Sequence, residues 1–387
     1  MNSKQFETAK MCLKVVTPIN IADGIVLGAK DYLYDSRRQK VYFLNLHQWH
    51  MFIYKHMLLE KYESYLANFR DKQSLLEWLR MQGYDIDDVR TVITSEALAT
   101  VNLMDSERKK TLNDISRHIQ QPDGSLYVPG SSIKGVFRTA ILYSLLQKRQ
   151  DIKVKYWRQI QEKISSNYFK PYRDFNKLIS DLENELLHTL RLLDGNIRSN
   201  NAVCSAMRGL QVSDTYASRN MQTAILQKVD GGFDKFGKAS PKKLPIFREC
   251  MLPEAELFFD VKIEKAVMNT IAINSVDDLL KATHSFFAAV TDLLQQAFGK
   301  EYQEAFQGVA AGNMFLGGNT GFLSKTLLAM LAPDKDTAKN TIKVLLDKSF
   351  KTHKHLLRDK IIAPRTLKCT NYNGKLMLMG VAEVRKV

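Results

Sequence analysis

The order of predicted elements makes this an α+β chain, and three observations carry that reading. Short strand candidates open and close the chain, amphipathic helices fill most of its first half, and a run of strands broken by Gly, Pro and Asp follows Gly209. Strands and helices therefore come in blocks, with few signs of the alternating units that build a parallel sheet.

Met11–Val16 is a short apolar run ended by Thr17-Pro18, and a second strand is expected to pair around Lys40–Leu44. Leu46–Phe69 and Ser74–Met81 have helical spacing, with Gly83 as a C-terminal cap. Glu107–Ile119 is a further helix candidate, and Gln121-Pro-Asp-Gly124 is a turn. Next comes Tyr127-Val-Pro-Gly-Ser-Ser-Ile-Lys-Gly-Val-Phe-Arg, which opens a helix whose apolar positions are Ile133, Val136, Phe137, Ala140, Ile141 and Leu145. Ser131 or Ser132 can cap it, because a hydroxyl oxygen accepts a free backbone N–H there. Asp151–Ile164 and Phe175–Leu193 read as helices, the second closed by Gly195.

Gly209–Ser213, Ala224–Val229, Leu244–Cys250 and Glu256–Glu264 are strand candidates. Val276–Phe298 is a helix ending at Gly299. Met314–Leu328 reads as a strand, a glycine-rich turn and a helix; Lys360–Lys368 and Lys375–Val384 are closing strands around Asn371-Tyr-Asn-Gly374.

Composition narrows the function. The 387 residues carry a formal charge of +15, with a pI near 9.4. Such an excess points first to nucleic acid and second to anionic membranes. It is uneven: Thr341–Val387 holds eleven Lys/Arg against three Asp/Glu. Lys228–Arg248 adds Lys228, Lys235, Lys238, Lys242, Lys243 and Arg248 against Asp230 and Asp234. The four cysteines are far apart, so a zinc site or disulfide framework is not expected, and reduced thiols in a cytoplasmic protein fit. The polar start and Lys14 speak against a signal peptide, and no uncharged apolar run is long enough to cross a bilayer.

Two segments carry phosphate-binding chemistry. Lys134 and Arg138 lie off the apolar face in the first turns of the Pro-Gly-Ser-Ser helix, where cations beside free N–H groups form an anion site. The alternative is an ordinary capped core helix with two solvated charges. Gly317-Gly-Asn-Thr-Gly-Phe-Leu-Ser-Lys-Thr326 looks like a P-loop but has Ser324 and Asn319 where that motif needs glycine, which disfavours nucleotide hydrolysis. Both loops keep close backbone approach and a nearby lysine, and together they suit an extended phosphodiester better than one nucleotide.

Other chemistry is weaker. His47, His50, His56, His353 and His355 lack metal spacing, and surface or core roles suit them better. Asp23 and Asp31 follow the first strand; a loop carboxylate can serve RNA cleavage, but loop aspartates far more often make turns. Arg208-Gly-Leu-Gln-Val-Ser-Asp214 has no aromatic pair to stack bases, so backbone contacts rather than base readout are expected.

Taken jointly, Pro129–Arg138, Gly209-Leu-Gln-Val-Ser-Asp-Thr215 and Leu316–Lys325 resemble the RAMP proteins of CRISPR systems. With Val16-Thr-Pro-Ile-Asn-Ile21 and Ala363-Pro-Arg-Thr-Leu-Lys368, the combination is similar to the family of fifth subunits of the type III-A Csm effector complex. The resemblance spans nearly the whole chain. It implies tandem ferredoxin-like (RRM-like) domains: residues 1–265 with helical insertions near 46–120 and 151–195, and a degenerate domain over 266–387.

It further implies a non-catalytic subunit that caps the 3′ part of the crRNA guide, serves assembly and 3′-end maturation in antiviral defence, and uses no cofactor or metal. Implied partners are crRNA, the guide–target RNA duplex, the other Csm subunits (above all the repeated backbone RAMP) and host nucleases, with no membrane. Gly130, Ser131, Ser132, Lys134 and Arg138 would form one RNA contact, and Gly317, Gly318, Asn319 and Lys325 a second. Lys228, Lys235, Lys242 and Lys243 would belong to a thumb-like hairpin. Arg358 and Lys360, with Lys351, Lys354, Arg365 and Lys368, would line the same path as the second loop. Alternatives are a metal-dependent RAMP endoribonuclease using Asp23 or Asp31, and a crRNA-processing endoribonuclease using a histidine.

Overall fold

A computed structural model describes residues 5–68, 73–99, 112, 114–166, 168–191, 200–217 and 221–387. Its strands are β1 (Phe6–Val15), β2 (Ala22–Leu27), β3 (Tyr32–Asp35), β4 (Lys40–Leu44), β5 (Ile93–Ala99), β6 (Ile115–His118), β7 (Leu210–Val212) and β8 (Tyr216–Ala217). They continue as β9 (Thr223–Gly231), β10 (Lys242–Met251), β11 (Glu256–Glu264), β12 (Met314–Phe315), β13 (Leu367–Tyr372), β14 (Lys375–Leu378) and β15 (Val381–Lys386). The longer helices are α1 (Leu46–Lys55), α2 (Leu59–Ala67), α3 (Leu75–Met81), α4 (Gly130–Lys148), α5 (Gln150–Ser165), α6 (Pro171–Leu187), α7 (Val276–Phe298) and α8 (Lys335–Ser349).

One sheet has the order β12-β15-β1-β11-β7, with β8 also on β11. Along the chain its spine is β1, α4, β7, β11, α7, β15, and every pairing in it is antiparallel. That is the ferredoxin-like path, with the fourth, first, third and second strands side by side. Helices α4 and α7 cover one face. Phe137, Ile141, Phe286 and Val290 are buried there beside Met11, Leu13 and Phe259, and Tyr143 and Phe286 meet at 5.5 Å. The expected division at 265/266 falls between strand β11 and helix α7.

The second sheet is made from the connections of the first. Its order is β2-β6-β10-β9-β5-β4-β3, and β13 joins β9 with β14 beyond it. Around it α1, α2 and α3 form a small aromatic core of their own, with Trp49, Tyr62, Tyr65 and Trp78 buried together.

Several expected elements are corrected. Leu46–Phe69 is two helices, because Met57 takes a left-handed backbone at φ 54°. The strand at Lys40–Leu44 pairs with β3 and β5 rather than with the first strand. The helix expected over 107–119 is contradicted at its end: Ile115–His118 is a strand between β2 and β10, and the buried Ile115 and His118 mimic helical spacing at i, i+3. Its earlier part, like Gly195, lies largely outside the described residues. Helix α4 begins at Gly130 after Pro129, and no side chain caps it, so neither Ser131 nor Ser132 has that role.

Helix α6 ends at Leu187 rather than Leu193. The helix after the glycine-rich loop is one turn, Leu328–Leu331, and the larger helix is α8. The expected strand Lys360–Lys368 is irregular up to Thr366. The run Lys375–Val384 is two strands in different sheets, broken at Gly380 with φ 81°.

Candidate nucleic-acid interface

The Pro-Gly-Ser-Ser segment and the Gly209–Thr215 segment lie against each other. Val128 N–H donates to Thr215 Oγ1 at 2.8 Å, and Thr215 N–H donates to Val128 O at 3.0 Å. A Cβ on Gly130 would sit 2.4 Å from Val212 O, so only glycine lets the helix start this close to the end of β7. The cationic groups here are already engaged. Gly130 N–H donates to Asp214 Oδ1 at 2.7 Å, Lys134 Nζ donates to Leu210 O at 2.6 Å, and Arg138 pairs with Glu183 of α6. Burial lowers the Lys134 pKa. Ser131 remains exposed beside this start.

The second loop has a different electrostatic setting. Gly317 is at φ 86°, and a Cβ there would lie 2.3 Å from Asn20 O. Gly318 N–H donates to that same oxygen at 2.7 Å, and Leu316 N–H donates to Gly380 O at 2.7 Å. The buried Asn20 side chain accepts from Arg248 Nη1 at 2.9 Å and donates to Glu249 O at 2.8 Å. Behind it the buried Glu249 carboxylate accepts from Arg117 Nε at 2.9 Å and from His118 N–H at 3.2 Å. Asn20 thus ties the end of β1 to β10 and to the glycine-rich loop.

Four cations meet at this loop, three from strands of the second sheet and Lys325 from the loop's own end. Arg248 on β10, Lys228 on β9 and Lys368 on β13 share one face of the second sheet, as the register Arg248↔Leu226 and Lys368↔Asp230 requires. Asp230 takes Lys368 Nζ at 2.9 Å and Lys228 Nζ at 3.7 Å. Desolvation first, then the charges of Lys368 and Arg248, lower the Lys228 pKa against the pull of Asp230. Lys325 has a lowered pKa from desolvation and then from Arg248; it keeps more than a third of its surface open, so solvent weakens the desolvation part. Gly321 approaches the Lys368 stem, a Cβ position lying 3.5 Å from Cγ. Like charges around one carboxylate are a local excess that an anion relieves.

The stretch expected as a thumb-like element is a hairpin: β9 and β10 pair through Lys242↔Asp230 and Lys243↔Val229, with a bulge before Phe247↔Gln227. Tyr302 holds the base of its tip, donating to Gly232 O and accepting from Ser240 N–H at 3.1 Å. Lys235, Lys242 and Lys243 are exposed. Lys235 stands at the tip beside Arg358 and Lys360, which project from the 357–365 segment into a common cleft. Asp359, fully buried, anchors that segment by accepting from His355 Nδ1 and Arg365 Nη1, both at 2.8 Å.

Asp31 accepts from Gly28 N–H and Asp23 from Ile25 N–H, each at 2.7 Å, which is turn chemistry. Among the described residues no group of three or more His, Cys, Asp or Glu is placed to hold a metal. His56 pairs with Tyr84 Oη at 2.8 Å, His355 belongs to the Asp359 anchor, and His47, His50 and His353 are exposed. All four cysteines are buried, and none of them is joined in a disulfide. No described helix is long and apolar enough to cross a membrane. Sequence reasoning missed Asn20, Arg117, His118 and Glu249. The signal available was the polar Asn20 between two isoleucines directly after a strand.

Comparison with known proteins agrees with the fold. The model of the RAMP superfamily matches residues 12–321. A Mycobacterium tuberculosis protein named CRISPR system Cms protein Csm5 is 26% identical over 396 residues, covering 98% of this chain and 97% of its own. A protein of the same name from Enterococcus italicus is 23% identical, covering 88% and 85%. Among solved structures, a chain of a Csm–crRNA–target RNA ternary complex of a type III-A CRISPR-Cas system has a TM-score of 0.65 at 18% identity, covering 98% of this chain and 100% of its own. The crystal structure of T. onnurineus Csm5 has a TM-score of 0.57 at 19% identity, covering 96% and 99%.

Proposed function

The chain belongs to the RAMP superfamily, and on that premise we propose that it is a crRNA-binding subunit of a type III-A Csm effector complex. Near-full-length relatives that bear the Csm5 name support the subunit role. The finer reading is that it caps the 3′ part of the guide in a cytoplasmic complex, serves assembly and 3′-end maturation, and does no chemistry itself. Its partners would be crRNA, the guide–target duplex, the backbone RAMP subunits and visiting nucleases.

The observation that carries RNA binding is the cluster of Arg248, Lys228, Lys368 and Lys325 at the glycine-rich loop, with Asp230 as the acid that pairs with it. Phosphates supply the missing negative charge, and release of their counterions makes binding salt-dependent. The first loop contributes backbone and Ser131 more than charge, since Lys134 and Arg138 already have partners.

Asp31 bears on catalysis. Its carboxylate is committed to Gly28 N–H, which supports a turn role. The test is the reassembled complex with Asp31→Ala and, separately, Asp23→Ala. Target-RNA cut sites should be unchanged in number and position. Loss of one cut site with normal guide loading would make this chain an endoribonuclease.

A further inference from the structure

The hairpin tip and the 357–365 segment enclose a cleft of about 840 Å³. Four cations line it: Lys235 from the tip, and Arg358, Lys360 and Arg365 from the opposite wall. Among the described residues, Arg365 alone of these has an acidic partner, buried Asp359, through one nitrogen. Asp234 is the acid of the lining, and its carboxylate accepts from Phe236 and Lys238 N–H groups within the tip. The cleft therefore has a net positive rim, on segments more than a hundred residues apart in sequence.

Its remaining wall is apolar and partly rigid. Leu357 is 75% and Ile361 51% exposed, and both line the cleft. Phe233 also lines the cleft. Its ring is stacked on buried Phe298 at 5.3 Å and 6°, and Tyr302 meets its edge at 6.0 Å. An immobilised aromatic ring beside cations combines the two elements of single-strand recognition: a stacking platform for a base and neutralising charge for its phosphate. The volume lies in the range that holds small ligands, about 300–1,000 Å³, and is too small for a base-paired stretch.

We propose that this cleft seats an unpaired nucleotide of the bound RNA, its base against Phe233 and the Leu357–Ile361 wall and its phosphate on Arg358, Lys360 and Lys235. The proposal rests on the RNA-binding reading above and adds base stacking at a point where backbone contact alone was expected. An acidic peptide of a neighbouring subunit is the competing occupant. The stacked Phe233 ring and three cations without an acidic partner among the described residues favour the nucleotide.

The test uses the full chain and a single-stranded RNA oligonucleotide with 2-aminopurine at its 3′ end. Binding should quench the fluorescence. Phe233→Leu keeps an apolar wall without a π face, and should abolish the quenching and lower affinity about tenfold. Arg358→Ala with Lys360→Ala, both on the surface, should also abolish it and flatten the salt slope by about 0.7 per lost contact; this pair decides the matter should the Phe233 variant fold poorly. RNA bound by the unaltered chain without quenching overturns the proposal and leaves RNA binding standing. No RNA binding by the unaltered chain overturns both. Cleft variants that lose a neighbouring subunit while affinity and quenching stay intact make the cleft a protein contact and overturn the nucleotide.

Discussion

His118 provides a quantitative test of the polar node behind the glycine-rich loop. Its side chain is fully buried on β6, with Nδ1 3.0 Å from Ile21 O and Nε2 without a partner among the described residues. The neutral tautomer with the proton on Nδ1 fits: it donates to Ile21 O and leaves only a bare lone pair unsatisfied. Burial first, and then the neighbouring Arg117 charge, push the pKa from 6.5 down to about 4. The unfolded chain therefore takes up a proton near 6.5 that the folded chain refuses until about 4.

The sign follows from that difference. The stability associated with a neutral His118 is fully present above 6.5 and is lost as the pH falls towards 4, at up to about 1.4 kcal/mol per pH unit. Across the whole window the gap amounts to roughly 3 kcal/mol. His118→Asn places an amide N–H near the Nδ1 position and removes the titration. Urea unfolding of both proteins, from about pH 7 down to about pH 4.5, isolates the histidine from the carboxylates that also titrate. The unaltered protein should lose stability relative to the variant as the pH falls. Parallel profiles would mean that His118 accepts a proton in the folded protein, and the buried neutral assignment would be wrong.

Two further outcomes follow from the loop. Lys228→Ala and Lys325→Ala should each weaken RNA binding and reduce the magnitude of the salt slope by about 0.7, without a large fall in melting temperature; unchanged slopes would move the RNA path off this loop. Gly317→Ala meets both φ 86° and Asn20 O at 2.3 Å and should cost about 2 kcal/mol or more, whereas Gly135→Ala, in open space on α4, should be neutral or stabilising by up to about 1 kcal/mol; equal thermal shifts would refute the steric argument.

Sequence alone determined those features that depend on near neighbours. Glu256–Glu264 and Val276–Phe298 match their expected bounds, because alternation and a 3.6-residue period are written locally. The α+β class, the excess of basic charge and the motifs shared with the RAMP superfamily are local in the same sense.

Partnership was not legible. Lys134 and Arg138 read as a free cationic pair, yet their partners Leu210 O and Glu183 come from segments far along the chain. His118 belonged to a helix by spacing and to a strand by pairing, because β2 and β10 flank it only after folding. Asn20 shows locally only as a polar residue between two isoleucines; its role comes from folding, which places β10 and the glycine-rich loop on either side of it. Lys235 and Arg358 likewise share a cleft only through the sheet that carries the hairpin. Charge type and periodicity are properties of a segment, whereas a charge is free or satisfied according to what the rest of the chain brings within hydrogen-bond reach.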